Sequence, residues 1–171
     1  MEILLSRCRL RPYHGGDRAS VARHANNRRI WLNMRDRFPH PYTPEDADAW
    51  IRRFAGEEPA TQCGIEVGGE VVGGIGLTLQ EDVHRRSAEL GYWLGEPFWG
   101  RGIMSEVVPA FTAYAFATFD LCRVYATVFE WNPASTRILE KAGYVLEGCL
   151  RKSVTKDGRT IDQLMYACVR E

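Results

Sequence analysis

An excess of charge of either sign is missing from this chain: 22 Lys and Arg stand against 22 Asp and Glu in 171 residues, a formal net charge of zero. A long-range field that gathers nucleic acid or an anionic membrane surface is not expected, and any anionic partner must be held by local groups. Long apolar runs are missing too. The longest, from Val107 to Ala117, is broken by Pro109 and Thr112 and falls short of the roughly 20 residues of a spanning helix. Met1-Glu2-Ile3 has neither the basic start nor the apolar stretch of a secretory signal, which points to a soluble, cytoplasmic protein. Cys8, Cys63, Cys122, Cys149 and Cys168 are odd in number and contain no C-x-x-C pair, so neither a disulfide framework nor a zinc knuckle is indicated. They read as reduced, mostly buried thiols. His14, His24, His40 and His84 form no H-x-x-x-H or H-E-x-x-H group, and no structural metal is expected. Repeats and low-complexity tracts are absent as well, which removes solenoids and linked arrays.

What is present is an ordinary globular composition, 45% hydrophobic and 26% charged in 19.5 kDa. At roughly 100–200 residues per domain this predicts one domain over residues 1–171. The chain alternates strands and helices. Arg7 to Tyr13 reads as a short strand ending at Pro12, after which Asp17 can cap a helix through Val21 and Ala22 toward Asn26. Thr43-Pro44-Glu45-Asp46 supplies a capping hydroxyl, a first-turn proline and acidic groups at the positive end of a helix carrying Trp50, Ile51 and Phe54. Gln62 to Val67 and Glu70 to Leu79 flank Gly68-Gly69 as a hairpin, and Ser87 to Leu94 follows as a third strand. Val107, Phe111, Tyr114 and Leu121 recur at helical spacing over Gly102 to Phe119, with Pro109 expected to kink or loosen the first turns. Arg123 to Phe129 is strand-like. Asn132-Pro133-Ala134-Ser135 opens a short helix that stops at Ala142-Gly143, and Tyr144 to Arg151 with Thr160 to Val169 form a last hairpin around Lys156-Asp157-Gly158. The class is α+β, a mixed and mostly antiparallel sheet of about six to seven strands flanked by about four helices.

The segment richest in chemistry is Gly95-Glu96-Pro97-Phe98-Trp99-Gly100-Arg101-Gly102-Ile103-Met104-Ser105, between a strand and an amphipathic helix. Gly100 and Gly102 admit a ligand close to the backbone, the N–H groups of the first helical turn point at it, and Arg101 adds a cation suited to phosphate oxygens. The glycines alone could equally serve a tight connection. A P-loop needs G-K-[ST], which Arg101-Gly102-Ile103 does not supply. A dinucleotide fingerprint needs G-x-G-x-x-G, and Ser105 stands where the third glycine belongs, although Glu130 could stand in for the ribose-binding acid. A dinucleotide-dependent oxidoreductase is thus a rival reading.

Taken with Glu89-Leu90-Gly91-Tyr92-Trp93-Leu94-Gly95 before the loop and Asn132-Pro133-Ala134-Ser135 after the next strand, the segment resembles the GNAT superfamily of acyltransferases. It is most similar to the RimJ/RimL-type N-acetyltransferases, which include ribosomal-protein-alanine acetyltransferases. The resemblance takes in nearly the whole chain, from Cys8-Arg9-Leu10-Arg11-Pro12 and Phe38-Pro39-His40-Pro41-Tyr42-Thr43 to Glu140-Lys141-Ala142-Gly143-Tyr144 and the Lys156 to Asp162 hairpin. It implies a single GNAT-like domain in which acetyl-CoA binds where two parallel strands, Glu89 to Leu94 and Arg123 to Phe129, splay apart. In the family pattern R/Q-x-x-G-x-G/A the matching positions are Trp99, Gly102 and Met104. Trp99 is usual in this branch, whereas Met104 departs from the pattern and could alter the cofactor angle or loosen affinity. The resemblance assigns Gly100, Arg101, Gly102, Ile103, Met104 and Ser105 to the pyrophosphate and counts Trp99, just before them, among the cofactor-binding positions. Trp93 and Leu94 fall on the pantetheine and thioester, and Asn132 and Ser135 on the pantetheine arm and sulfur. It also implies a homodimer.

The implied reaction is direct attack of a neutral primary amine on the thioester in a ternary complex, with the N–H near Leu94 stabilising the oxyanion. A covalent cysteine route is disfavoured, because no Cys is paired in the sequence with an evident His base. A peptide α-amine, with pKa near 7.7–8.0, is roughly a tenth neutral at pH 7, far more than a lysine-like amine near 10.4, so a protein N-terminus is the favoured acceptor. Glu89, two residues before Gly91 on one face of a strand, is the candidate base, with a cross-strand salt bridge as its other reading. Ser135 is the candidate acid for the departing thiolate, with a capping hydroxyl as its other reading; Tyr92 and Tyr144 are further donors in principle. By analogy the acceptor lies near Trp31, Phe38 and Tyr42 and the Lys152 to Arg159 hairpin. A polyamine or antibiotic amine also fits, and a catalytically silent acyl-CoA-binding regulator is a second reading.

Overall fold

The computed structural model describes residues 1–170. Eight strands form one sheet in the order β1-β2-β3-β4-β5-β6-β8-β7. They are β1 Ile3–Leu4, β2 Arg9–Arg11, β3 Gln62–Val67, β4 Glu70–Leu79, β5 Ser87–Leu94, β6 Arg123–Phe129, β7 Val145–Lys156 and β8 Arg159–Val169. Five helices accompany them: α1 Arg18–Ala25, α2 Arg28–Trp31, α3 Pro44–Phe54, α4 Ile103–Thr118 and α5 Pro133–Lys141. The α+β class with a parallel pair stands. The sheet has one strand more than expected because β1, two residues long, carries too little pattern to be read, and the extra helix α2 is a single turn. The chain forms two compact units, one from Met1–Gly76 with Tyr92–Val107, the other from Leu77–Gly91 with the chain from Val108 onward.

In the first unit β2 and β3 pair antiparallel with Arg9 opposite Glu66. Arg11, on the same face as Arg9, is 7% exposed and forms a two-pronged bond with Asp17, at 2.9 and 2.8 Å, while its Nε donates to Glu66. That arrangement corrects the expected capping role of Asp17. Its carboxylate is occupied by Arg11 and by the His14 N–H at 2.9 Å, and it makes no cap bond to α1. Burial alone would raise the Asp17 carboxyl, but the Arg11 bond and the His14 N–H outweigh it and hold the group below its ordinary value. Helix α3 begins as predicted. Thr43 Oγ1 accepts the Asp46 N–H at 3.2 Å, and Asp46 accepts the Thr43 N–H at 2.8 Å, a reciprocal capping box.

In the second unit β5 and β6 are parallel, pairing Ser87 with Arg123, Ala88 with Val124 and Glu89 with Tyr125. β6 pairs antiparallel with β8 along its full length, Arg123 with Val169 through Phe129 with Gln163. The closing hairpin is longer than expected. β7 runs on to Lys156 and turns at Asp157-Gly158, where both residues have positive φ, 49° and 72°. The irregularity between Leu150 and Val154, with Lys152 at φ 52°, is what reads as a strand end in sequence. Helix α4 is continuous through Pro109. The cysteines are less buried than expected: Cys8 and Cys63 are buried, Cys122 and Cys168 half-buried, and Cys149 is exposed.

Candidate active site

The glycine-punctuated segment lies in the first unit. β5 ends at Leu94, Glu96–Phe98 forms a 3-10 turn, and α4 starts at Ile103. Gly100 and Gly102 have φ of 72° and 76°, in the left-handed region where a Cβ is strained. Around Gly100 a Cβ would meet nothing within 4 Å. Trp99 to Gly102 are exposed, whereas Ile103 and Met104 are only 3% and 6% exposed. The result is an open main-chain hollow at the positive end of a 16-residue helix, which suits an anionic group. The Met104 side chain belongs to the core, so its departure from the family pattern is a packing choice. Arg101 lies with its guanidinium 5.2 Å from the Phe98 ring.

Arg7 is a residue the sequence does not announce. A Cβ on Gly102 would stand 3.5 Å from its Nε, which puts a cation beside the hollow. Glu106, in the first turn of α4, holds it there: the carboxylate accepts the Ser6 N–H at 3.0 Å, the Arg7 N–H at 3.3 Å and the Arg7 guanidinium. No local pattern links residues so far apart in the chain.

The end of β5 is tightly held. The Gly95 N–H donates to Val72 O at 2.7 Å, and the Trp99 indole N–H donates to Leu94 O at 2.6 Å. A Cβ on Gly73 would come within 2.6 Å of Trp93 O, so β4 needs glycine where it passes β5. Two of the three acceptor candidates gather here. The Phe38 ring is 5.9 Å from Trp93 and 5.0 Å from Tyr42. Tyr42 is 7% exposed and its hydroxyl is pushed up to about 12 by burial, which makes it a core residue. The Trp31 ring packs on His40 at 5.9 Å.

The second unit holds the remaining candidates. Glu89 is half-buried on β5, and the Thr127 hydroxyl of β6 donates to it at 3.2 Å. Asn132 caps α5, its Oδ1 accepting the Ser135 N–H at 3.4 Å, which places Ser135 in the first turn of that helix. Tyr144 is 3% exposed and its hydroxyl is 2.7 Å from that of Thr112, a core arrangement. Burial raises the thiols of Cys8 and Cys168 above their ordinary value. Burial pushes Cys63 up to about 12, and desolvation with the neighbouring Asp162 raises Cys149. Among the described residues no group of three or more His, Cys, Asp or Glu could hold a metal ion, and no helix is long and apolar enough to cross a membrane.

A doubly wound dinucleotide fold needs a mostly parallel sheet, and the registered pairs here are antiparallel except for β5 with β6. Comparison with known proteins points the other way. YoaA, an uncharacterized N-acetyltransferase of Bacillus subtilis, is 36% identical over 131 residues, which is 74% of this chain and 73% of that protein. The ribosomal-protein-serine acetyltransferase of Escherichia coli is 31% identical over 98 residues, 57% of this chain and 54% of its own length. A solved structure of RimL, a ribosomal L7/L12 alpha-N-protein acetyltransferase in complex with coenzyme A, superposes with a TM-score of 0.86 at 21% identity, covering 99% of this chain and 98% of that one, and shows the same fold. The family model described as an acetyltransferase (GNAT) domain matches residues 7–145, and with the glycine hollow, the β5 end and the capped α5 all inside that span, the chain belongs to the GNAT family of N-acyltransferases.

Proposed function

We propose that this N-acyltransferase uses acetyl-CoA to acetylate a primary amine, with a protein N-terminal α-amine as the favoured acceptor, and that residues 1–171 act as one domain through which β4 and β5 both run. The observation that carries the reading is the exposed hollow at Gly100–Gly102, left-handed at both glycines and placed at the head of α4 within the stretch the family model matches. Two phosphates fit main-chain donors there without any global basic field. Acetyl-CoA supplies an activated acyl thioester when bound. The chain's own groups then have distinct tasks. The backbone from Gly100 to Ser105, with Arg101 and Arg7, holds the pyrophosphate; Trp93, Leu94 and Asn132 hold the arm; the Leu94 N–H donates to the thioester oxygen. Glu89 accepts the amine proton directly or through water, its carboxylate oriented by Thr127, and Ser135 returns a proton to sulfur.

The named activities of the E. coli relative and of RimL support a ribosomal-protein terminus as acceptor and hence a cytoplasmic site of action. A polyamine or antibiotic amine is the alternative acceptor, with Trp31 and Phe38 as candidate contacts. The resemblance also supports a homodimer, which light scattering tests against the 19.5 kDa of one chain. The decisive experiment is titration calorimetry with acetyl-CoA followed by free-CoA release on a panel of N-terminal peptides, polyamines and aminoglycosides. Binding with turnover on a peptide is expected. Absence of heat overturns the reading, and binding without turnover on any amine makes the chain a silent acyl-CoA binder.

A further inference from the structure

Trp99 occupies a position that the family resemblance ties to the cofactor, yet its polar atom is engaged elsewhere. The indole N–H donates to Leu94 O across 2.6 Å, short for a bond of this type. The Leu94–Gly95 peptide that carries this carbonyl is also held at its nitrogen, by Val72 O at 2.7 Å. Both polar atoms of one planar unit at the end of β5 are fixed, so the Leu94 N–H, which lies on the preceding peptide, can turn against that unit only about the two dihedrals of Leu94 itself. The indole is itself held. The 3-10 turn, with Phe98 N–H to Gly95 O at 2.9 Å and Trp99 N–H to Glu96 O at 3.1 Å, brings residue 99 back to residue 94. The Arg29 guanidinium lies 5.1 Å from the ring centroid and is anchored by Glu96, which also accepts the Asn27 amide at 2.7 Å. Burial does not account for the residue, since Trp99 is 38% exposed.

We propose that Trp99 is a positioning residue for acyl transfer: by holding the Leu94 carbonyl at the end of β5, its indole N–H restrains the backbone dihedrals of Leu94 and with them the direction of the Leu94 N–H, the donor that the proposed function gives to the thioester oxygen. The inference rests on that reading of Leu94. An oxyanion donor is effective only when it is oriented before charge develops, and small misplacements are costly. The glycine hollow, by contrast, keeps its main-chain donors whatever the indole does.

Trp99→Phe keeps an aromatic ring at the position and removes the N–H together with part of the indole surface. The variant is expected to lose about tenfold in kcat while its Kd for acetyl-CoA, by titration calorimetry, stays close to wild type. The carbonyl resonance of bound carbon-13-labelled acetyl-CoA should move back toward its value in free solution, a change that looser packing would not produce. Unchanged kcat and resonance overturn the proposal, as does a Kd that rises in step with the loss of kcat. If the wild-type protein itself takes up no acetyl-CoA, the functional reading falls first and this inference with it, a result distinct from a normal wild type with an indifferent variant.

Discussion

Gly102 shows how much a single residue can decide. Its φ of 76° strains any side chain, and a Cβ there would lie in contact with the Arg7 side chain, 3.5 Å from Nε. Gly102→Glu therefore adds backbone strain, a carboxylate facing the phosphates and competition for Arg7 at once. Acetyl-CoA binding should fall below detection in calorimetry, and an unchanged Kd would remove the hollow from the reaction. Ser135→Ala is the milder test. Loss of the hydroxyl should slow turnover with the Kd for acetyl-CoA nearly unchanged, whereas wild-type turnover would return Ser135 to its capping role. Gly100 and Gly102 were legible from their spacing alone. Arg7 was not, because the Glu106 carboxylate that ties it to the head of α4 is an accident of tertiary approach, and no periodicity records it.

Among the elements, α3 has a beginning that is fully local. Thr43, Pro44 and Asp46 satisfy donors within one turn, so Thr43→Ala should cost about 1 kcal/mol, read as a lower urea midpoint at unchanged slope. The start of α1 looked similar in sequence and behaves differently, because Asp17 has a stronger partner in Arg11 than in its own helix. The closing hairpin gives the same lesson in reverse. Its Asp157-Gly158 turn was legible, but the continuation of β7 past Leu150 depends on pairing with β8 across the irregularity at Lys152, where Lys152 N–H donates to Asp162 at 2.8 Å. A strand that resumes after such a break is defined by its partner.

On the scale of the whole molecule, the carboxylates of Asp17 and Glu66 link stability to pH. The Arg11 and Arg9 bonds outweigh desolvation and hold Glu66 below its ordinary value, and Asp17 is held low by Arg11 against its burial. Folded values below unfolded ones mean that the unfolded chain binds more protons in the window between them. Their contribution is therefore complete above the unfolded carboxylate range near about 4 and is lost as pH falls through the folded values. Asp17→Asn should be destabilised by about 3–5 kcal/mol at pH 7, since it leaves the buried Arg11 short of a charge partner, and its deficit against wild type should shrink as both are titrated below that range. A constant deficit across pH would deny Asp17 its part in acid sensitivity.

Residue order was enough for whatever depends on neighbours in the chain: the alternation of strands and helices, the cap of α3, the start of α5, the glycine turn ahead of α4, and through these the family. Such features are written within a few residues because backbone conformation and capping are short-range. The folded molecule alone could say that Met104 belongs to the core, that Arg7 stands beside Gly102 and that Tyr42 is buried. Those facts follow from side chains meeting across the sheet, and close approach between distant segments leaves no mark in the order of residues.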